Sequence, residues 1–320
     1  MKLKNIVNKF SKAKVLIVGD LMLDRFIYGE AKKISPEAPV PVVEVKKETY
    51  CLGGAGNVAN NITSLGGNVL LVGVAGEDYT AELLYKEMAD RKIGDSGVFA
   101  DNGRLTSMKT RIIAGHQQIV RYDKETVREI SPAVLAKIMD FIKNSLPSCD
   151  AVLISDYGKG VITQKLINEI IRLAKKHKKI VTVDPKIEHF SRYEFVDCLT
   201  PNLSEAKAGM HVIKLNDDAD FDKLGRAILK KLKCRSVLIT QGESGMTLFE
   251  SKRKTHIPTV AKEVFDVSGA GDTVIATLTL ALASGASLLD AAKISNYAAG
   301  IVVGKLGTAA VSSKELLGAL

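Results

Sequence analysis

Several common organising features are missing from this chain of 320 residues. Cysteine is scarce: Cys51, Cys149, Cys198 and Cys234 stand far apart and form no CxxC pair. A zinc ribbon or a disulfide framework is therefore not what holds the fold, and a reducing compartment is expected. No apolar run is long enough to span a bilayer, and the basic stretch Met1 to Lys14 lacks the apolar centre of a signal peptide. The expectation is a cytoplasmic protein with no membrane partner. Neither GxxxxGKS nor GxxxxGKT occurs, which excludes a P-loop. Thr240-Gln241-Gly242-Glu243-Ser244-Gly245 is glycine-rich and follows an apolar strand, but it leads into Met246-Thr247-Leu248-Phe249, a second strand. A dinucleotide fingerprint needs a helix there, so that class is disfavoured too. No basic run is interleaved with aromatics. The formal net charge of +9 comes mostly from short clusters such as Lys175-Lys176 and Lys230-Lys231 at helix ends. No nucleic-acid partner is expected, whereas an anionic small substrate suits the charge.

What is present is a long alternation of short apolar strands and amphipathic helices. Val15-Leu16-Ile17-Val18, Val69 to Val74, Ala151 to Ser155, Ile180 to Val183, Cys198 to Thr200 and Val237 to Thr240 read as buried strands. Between them Thr80 to Arg91, Pro132 to Asn144, Thr163 to Lys176 and Phe221 to Leu232 carry helical periodicity. This pattern predicts an α/β fold: a mainly parallel sheet covered by helices on both faces. Two pieces break it, Phe26 to Tyr50 with Pro36, Pro39 and Pro41, and Thr106 to Tyr122 with a hairpin turn expected at Gly115-His116. Both belong to one small excursion sheet over about 25–50 and 105–123. The whole chain, 1–320, is read as one domain.

Polar residues recur just past strand ends, where open α/β sheets bind ligands: Asp20 and Asp24, Asp156, Asp184, Asn202 and Gly242. Asp156-Tyr157-Gly158-Lys159-Gly160 and Asp184-Pro185-Lys186 each offer an acid for sugar hydroxyls and a lysine for phosphate, or an ion pair within the loop. Asn202 with Glu205 three residues on reads equally as a capping box or as a pair aimed at a metal–phosphate group. Gly53-Gly54-Ala55-Gly56-Asn57 stands just before a helix, where glycines admit a polar ligand and Asn57 offers a donor and an acceptor. The chain is centred on Asp266-Val267-Ser268-Gly269-Ala270-Gly271-Asp272-Thr273, which opens the apolar helix Val274 to Leu282. Bare backbone at a helix start favours an anion. Asp272 beside it suits a general base acting on a substrate hydroxyl, or a helix-entry carboxylate.

Those three glycine and asparagine motifs, in that order and spacing, resemble the ribokinase-like (PfkB) carbohydrate kinases over essentially the whole chain. More narrowly, Ile34-Ser35-Pro36-Glu37-Ala38-Pro39-Val40-Pro41-Val42, Lys109-Thr110-Arg111, Ser155 to Gly160 and Val303 to Thr308 resemble kinases of D-glycero-β-D-manno-heptose 7-phosphate. Such kinases often form the first half of a bifunctional ADP-heptose synthesis protein. The HxGH motif of the other half does not occur in this sequence. The resemblance implies ATP and Mg2+ as cofactors and Asp272 as the base, with the N–H groups of Gly269, Ala270 and Gly271 around the transferring phosphoryl group. It implies that Asn202 and Glu205 organise the metal, and that Thr240, Gly242, Ser244, Gly245, Asn296 and the Gly304 to Thr308 loop surround the nucleotide. Asp20, Asp24, Gly53, Gly54, Asn57, Asp156 and Asp184 would hold the sugar, and Arg121, Lys159 and Lys186 its existing phosphate. The excursion sheet becomes a lid, paired with a second lid in a homodimer. Another sugar kinase of the same family, or a non-catalytic sugar- or nucleotide-binding regulator, are the competing readings.

Overall fold

The computed structural model describes residues 2–320 apart from His116, Lys262 and Leu306. The turn expected at Gly115-His116 is therefore described only at Gly115, whose φ is +61°.

The main sheet is built from β1 (Lys14–Gly19), β4 (Asn68–Ala75), β5 (Gly97–Ala100), β8 (Ala151–Ser155), β9 (Ile180–Asp184), β10 (Cys198–Leu199), β11 (Ser236–Thr240), β12 (Met246–Glu250) and β13 (Arg253–Ile257). Among the described residues their order is β13-β12-β11-β10-β9-β8-β1-β4-β5. Pairing is parallel from β5 to β11 and antiparallel only at β12 and β13. Strand β1 shows why its sequence is apolar throughout. Val15 and Ile17 enter the core on one face, Leu16 and Val18 the core on the other, and all four are fully buried. Each such side chain contributes roughly 1.5–3 kcal/mol of burial. The Ala270–Ala283 helix is buried almost all round, packed between the sheet, the Ala55–Ser64 helix and the Leu288–Val302 helix. That position explains a helix that is apolar on every side.

The lid is a second sheet, with β2 (Leu21–Ile34), β3 (Pro41–Gly54), β6 (Ser107–Ala114) and β7 (Gln117–Lys124) in the order β3-β2-β6-β7. Its first two strands, of 14 residues each, extend beyond both ends of the piece Phe26 to Tyr50 and form one antiparallel ladder from Leu21↔Gly54 to Ile34↔Pro41. Because the lid strands continue directly from β1 and run directly into the Ala55–Ser64 helix, the lid is rooted at the carboxyl edge of the main sheet.

The strand order also picks out one crevice. From β1 the chain moves outward to β4 and β5, then returns to β8 on the opposite side of β1. The reversal lies between β1 and β8, whose carboxyl ends are Gly19-Asp20 and Ser155-Asp156. Open sheets bind ligands at such a reversal.

Candidate active site

At the start of the Ala270–Ala283 helix, Gly269 occupies the N-cap with φ +78°, a conformation that favours glycine, and a Cβ there would press within 3.0 Å of the Asn57 amide. Asp272, in the first turn, is 6% exposed. Its Oδ2 accepts from Asn57 Nδ2 at 2.7 Å, and its Oδ1 accepts from the Tyr157 hydroxyl at 2.6 Å. Burial pushes the Asp272 carboxyl up to about 6, the Tyr157 and Asn57 donors oppose that rise, and the nearby Asp24 adds to it. Asn57 is itself held by Asn61, which also accepts from Thr273 at 2.9 Å, so the two helices are pinned together behind the base. Asn57 lies inside the Ala55–Ser64 helix rather than before it, and its amide is committed to Asp272, not left open to a ligand.

The anion hole is narrower than the motif implied. The Ala270 N–H already donates to the Val267 carbonyl at 3.1 Å, whereas the Gly269 and Gly271 N–H groups have no acceptor among the described residues. A Cβ on Gly271 would meet nothing within 4 Å, so the backbone there faces open space. Asp266 does not face that space: it accepts from Ser268 N at 2.8 Å and from Gly307 N at 3.1 Å, tying the glycine turn to the 304–308 loop.

Two cavities meet at this helix start and share Thr240 and Gly271. The larger, about 540 Å³, is walled mainly by apolar groups, with Thr240, Gly242, Gly245, Val264, Val267 and Asn296 among them. Asn296 donates to the Pro258 carbonyl at 2.8 Å and so closes the wall as well as lining it. Ser244 and Gly304, expected beside the nucleotide, are not among its walls. Ser244 ends the 3-10 turn Gly242–Ser244, and Gly304 lines a separate groove with Phe265 and Tyr297.

The smaller cavity, about 220 Å³, gathers Asp184, Lys186, Asn202, Glu205 and Asp272 from three separate stretches of chain. Burial, and then the neighbouring Asp272 and Glu205, push the Asp184 carboxyl well above its ordinary value. Burial also raises Glu205, against the Asn202 N–H and the Lys186 charge that lower it. Asn202 and Glu205 do form the capping box, at 2.9 Å in both directions, which engages Glu205 Oε2 but not Oε1. Among the described residues no three His, Cys, Asp or Glu converge as a ready-made metal cage.

Three of the expected sugar ligands have other work. Both Asp20 oxygens are taken by backbone: Oδ2 accepts from Tyr157 N at 2.9 Å and Lys159 N at 3.1 Å, and Oδ1 from Val161 N at 3.1 Å. Asp156 accepts from Gly158 N at 2.8 Å, from His189 Nδ1–H at 2.6 Å and from the Tyr193 hydroxyl. These two carboxylates fold the loop after β8, and Asp156 also lines the smaller cavity. Asp24 pairs with Arg111 on β6, not with its neighbour Arg25, which pairs with Glu48 on β3. Alternation along β2 puts Asp24 and Arg25 on opposite lid faces. Gly53 leaves room for Asp24, since a Cβ there would come within 2.5 Å of its Oδ2, and Gly54 turns the chain into the next helix at φ +55°.

Of the expected phosphate holders, Lys159 meets Glu125 beyond the end of β7 at 2.6 Å, and Arg121 is half-exposed and paired with Asp123 at 3.1 Å. Lys109 joins them, 2.9 Å from Asp123 and 3.7 Å from Glu125. Lys186 stands apart from this group, its stem over Gly158 and its charge beside Glu205. Tyr157, Asn61, Lys109, Arg111 and His189 were given no role from sequence. Tyr157 had the clearest signal, lying between two expected site residues at a strand end.

The model of the pfkB family of carbohydrate kinases matches residues 12–315. The chain belongs to that family. Curated relatives include the bifunctional protein HldE of Desulfatibacillum aliphaticivorans, 45% identical over 97% of this chain and 63% of its own length. That of Helicobacter pylori is 44% identical over 95% of this chain and 65% of its own length. The pfkB chain described here thus spans a little under two-thirds of those relatives. Among solved structures, phosphofructokinase-2 from Escherichia coli in complex with potassium superposes with a TM-score of 0.78 at 20% identity, covering 96% of this chain and 97% of that one. Arabidopsis thaliana ribokinase complexed with ribose and ATP gives 0.72 at 20% identity, over 96% and 98% of the two chains. The fold is therefore ribokinase-like, a large, mostly parallel sheet with a small lid sheet. No helix among the described residues is long and apolar enough to cross a membrane.

Proposed function

We propose that this chain transfers the γ-phosphoryl group of ATP to the anomeric hydroxyl of D-glycero-β-D-manno-heptose 7-phosphate, giving the 1,7-bisphosphate for ADP-heptose biosynthesis. One observation carries the reading: two cavities of different chemistry abut at the N-terminus of one buried helix, and Asp272 lines the smaller one beside Gly271, which both share. The largely apolar cavity suits a nucleotide base, with Thr240, Gly242, Gly245 and Asn296 around it. The sugar lies between Asp272 and the lid, near Asp24, Gly53 and Asp184. Asp272 takes the proton of the anomeric hydroxyl, whose oxygen attacks the γ-phosphorus as the bond to the departing ADP oxygen breaks. The Gly269 and Gly271 N–H groups receive the charge on the transferring oxygens, each such donor being worth about 3–4 kcal/mol when lost.

The donor set fits Mg2+, which takes one or two carboxylates, keeps several waters and shares substrate phosphates. Glu205, with Oε1 uncommitted, and Asn202 would hold it, and it would neutralise phosphate charge when bound. Crowding of Asp184, Glu205 and Asp272 in one small cavity supports a cation there. Lys186 belongs with that phosphate end on this reading. Lys159 and Arg121, with Lys109, take the 7-phosphate by exchanging their present carboxylate partners for it.

The lid also leaves Ile34, Val40, Val45, Val120 and Tyr122 exposed, which supports a homodimer in which two lids pair. Coupled measurement of ADP release over a panel of sugars and sugar phosphates tests the substrate. The heptose 7-phosphate is expected to give the highest kcat/KM. Equal turnover of ribose or of unphosphorylated heptose would overturn the assignment in favour of another sugar kinase.

A further inference from the structure

We infer that Tyr157 is the positioning residue of the base. Its backbone N–H is anchored on the Asp20 carboxylate, and its phenol acts with Asn57 to hold Asp272 turned toward the sugar hydroxyl and ready to accept its proton. This rests on the reading of Asp272 as that base.

The geometry is a clamp with two independent jaws. Asn57 reaches one Asp272 oxygen from the Ala55–Ser64 helix, and Tyr157 reaches the other from the loop after β8. A carboxylate oxygen has two lone-pair directions, so each oxygen is fixed by one donor and keeps one direction for a substrate proton. The Tyr157 jaw is rigid for a stated reason. Asp20 gathers the N–H groups of Tyr157, Lys159 and Val161; Gly158 N–H bonds Asp156; Ile130 N–H bonds the Gly160 carbonyl at 3.0 Å; and Arg104 bonds the Lys159 carbonyl at 2.9 Å. A buried aspartate that binds three N–H groups of one short loop has a purpose if the loop must aim one side chain. Tyr157 is the member of that loop that touches the base.

Neutral donors matter here because of the charges facing Asp272. Asp24 approaches from β2, Asp184 from the end of β9, and Glu205 and Lys186 lie across the small cavity. Burial, with Asp184 and Glu205 facing Lys186 and with Asp24 already paired to Arg111, favours the protonated and inactive form of the base. The phenol and the amide oppose that by hydrogen bonding, without adding a positive charge that would weaken the base. Burial and the adjacent Asp272 push the Tyr157 phenol well above its ordinary value, so it stays a donor through the working pH range and does not compete as a base.

The test measures kcat and KM of the full chain from pH 5.5 to 9 for wild type, Tyr157→Phe and Asp272→Asn, with ATP affinity and thermal melting as folding controls. Tyr157→Phe should move the acidic limb of kcat upward by about one pH unit or more, the loss of a charge-assisted hydrogen bond to the ionised form. The deficit should be about ten-fold larger at pH 6 than at pH 8.5, with KM for ATP unchanged. Fluorotyrosine at position 157, a stronger donor of the same shape, should move the limb the other way and serves if the phenylalanine variant does not fold. An acidic limb unmoved in either variant overturns the inference, as does a rise in sugar KM with kcat unchanged, which would make Tyr157 a substrate contact. If Asp272→Asn keeps wild-type turnover, the base assignment itself fails. If Asp272→Asn is inert and the Tyr157 limb is unmoved, only the positioning role fails.

Discussion

Carboxylates at the carboxyl edge of the main sheet and carboxylates in the lid are satisfied in opposite ways. At the sheet edge Asp20, Asp156 and Asp272 bind N–H groups, phenols, an imidazole and an amide, with no lysine or arginine among the described residues on any of them. In the lid and its border Asp24 meets Arg111, Asp123 meets Lys109 and Arg121, and Glu125 meets Lys159. Neutral donors fix a carboxylate's direction while leaving its charge, which a base and a cation-binding cavity both need. Ion pairs cancel charge and, when partly exposed, are worth little net energy, so an incoming phosphate can take over the cation cheaply. One region is built for geometry, the other for exchange.

The largest effect should come from breaking the first region at its centre. Asp272→Asn keeps the shape but removes the base, and kcat should fall about 10²–10⁴-fold with ATP affinity nearly intact, as read by a coupled assay and by calorimetry.

The same substitution should raise stability. Burial pushes the folded Asp272 carboxyl up to about 6, above the 3.8 of an ordinary aspartate such as the unfolded chain presents, so between those values the folded state binds the extra proton. Stability linked to this group is therefore full below about pH 4, declines as pH rises toward 6 and stays low above it. Two units correspond to roughly 3 kcal/mol. Denaturant titration should find Asp272→Asn more stable than wild type at pH 8 by up to about that amount, with the gain gone near pH 4. An equal difference at both pH values would mean that burial of the charge is not what strains the site.

At the border of the lid, in the loop after β8, Lys159→Ala should raise KM for a sugar phosphate about ten-fold or more while leaving KM for ATP within two-fold, the cost of one charge-assisted contact. Combined with Arg121→Ala, the two effects should be non-additive if both hold one phosphate. Arg172→Ala supplies the small end of the scale. Its pair with Glu169 lies on an exposed helix face far from either region, at 2.6 Å and with the arginine 59% exposed. It should leave both the melting temperature and the kinetics at the wild-type values.

Much of this architecture is legible without coordinates, because burial period and turn chemistry are local. Four consecutive apolar residues in β1 have to be a strand buried on both faces, and Asn202 with Glu205 has to favour a helix start, which it makes. The glycine turn before Asp272 likewise announces a helix N-terminus. The length of β2 and β3 was not legible: their outer halves are polar and proline-flanked, and only their pairing across 14 residues each keeps them extended.

The role of an individual carboxylate is a different kind of quantity. Asp20, Asp156 and Asp272 each follow or open an element in much the same local setting, and nothing nearby in sequence separates a loop clasp from a base. Their donors come from far along the chain: Asp272 and Asn57 are 215 residues apart, Asp272 and Tyr157 are 115, and Asp20 and Val161 are 141. Sequence by itself determined the strand–helix alternation, the anion-favouring helix start and the set of acids at one sheet edge, since each depends on neighbours within a few positions. Tertiary structure alone decided which acid is spent on backbone, which is paired with a cation and which is left charged beside the anion hole, because a carboxylate's function is set by the donors that reach it, and those are chosen by the fold.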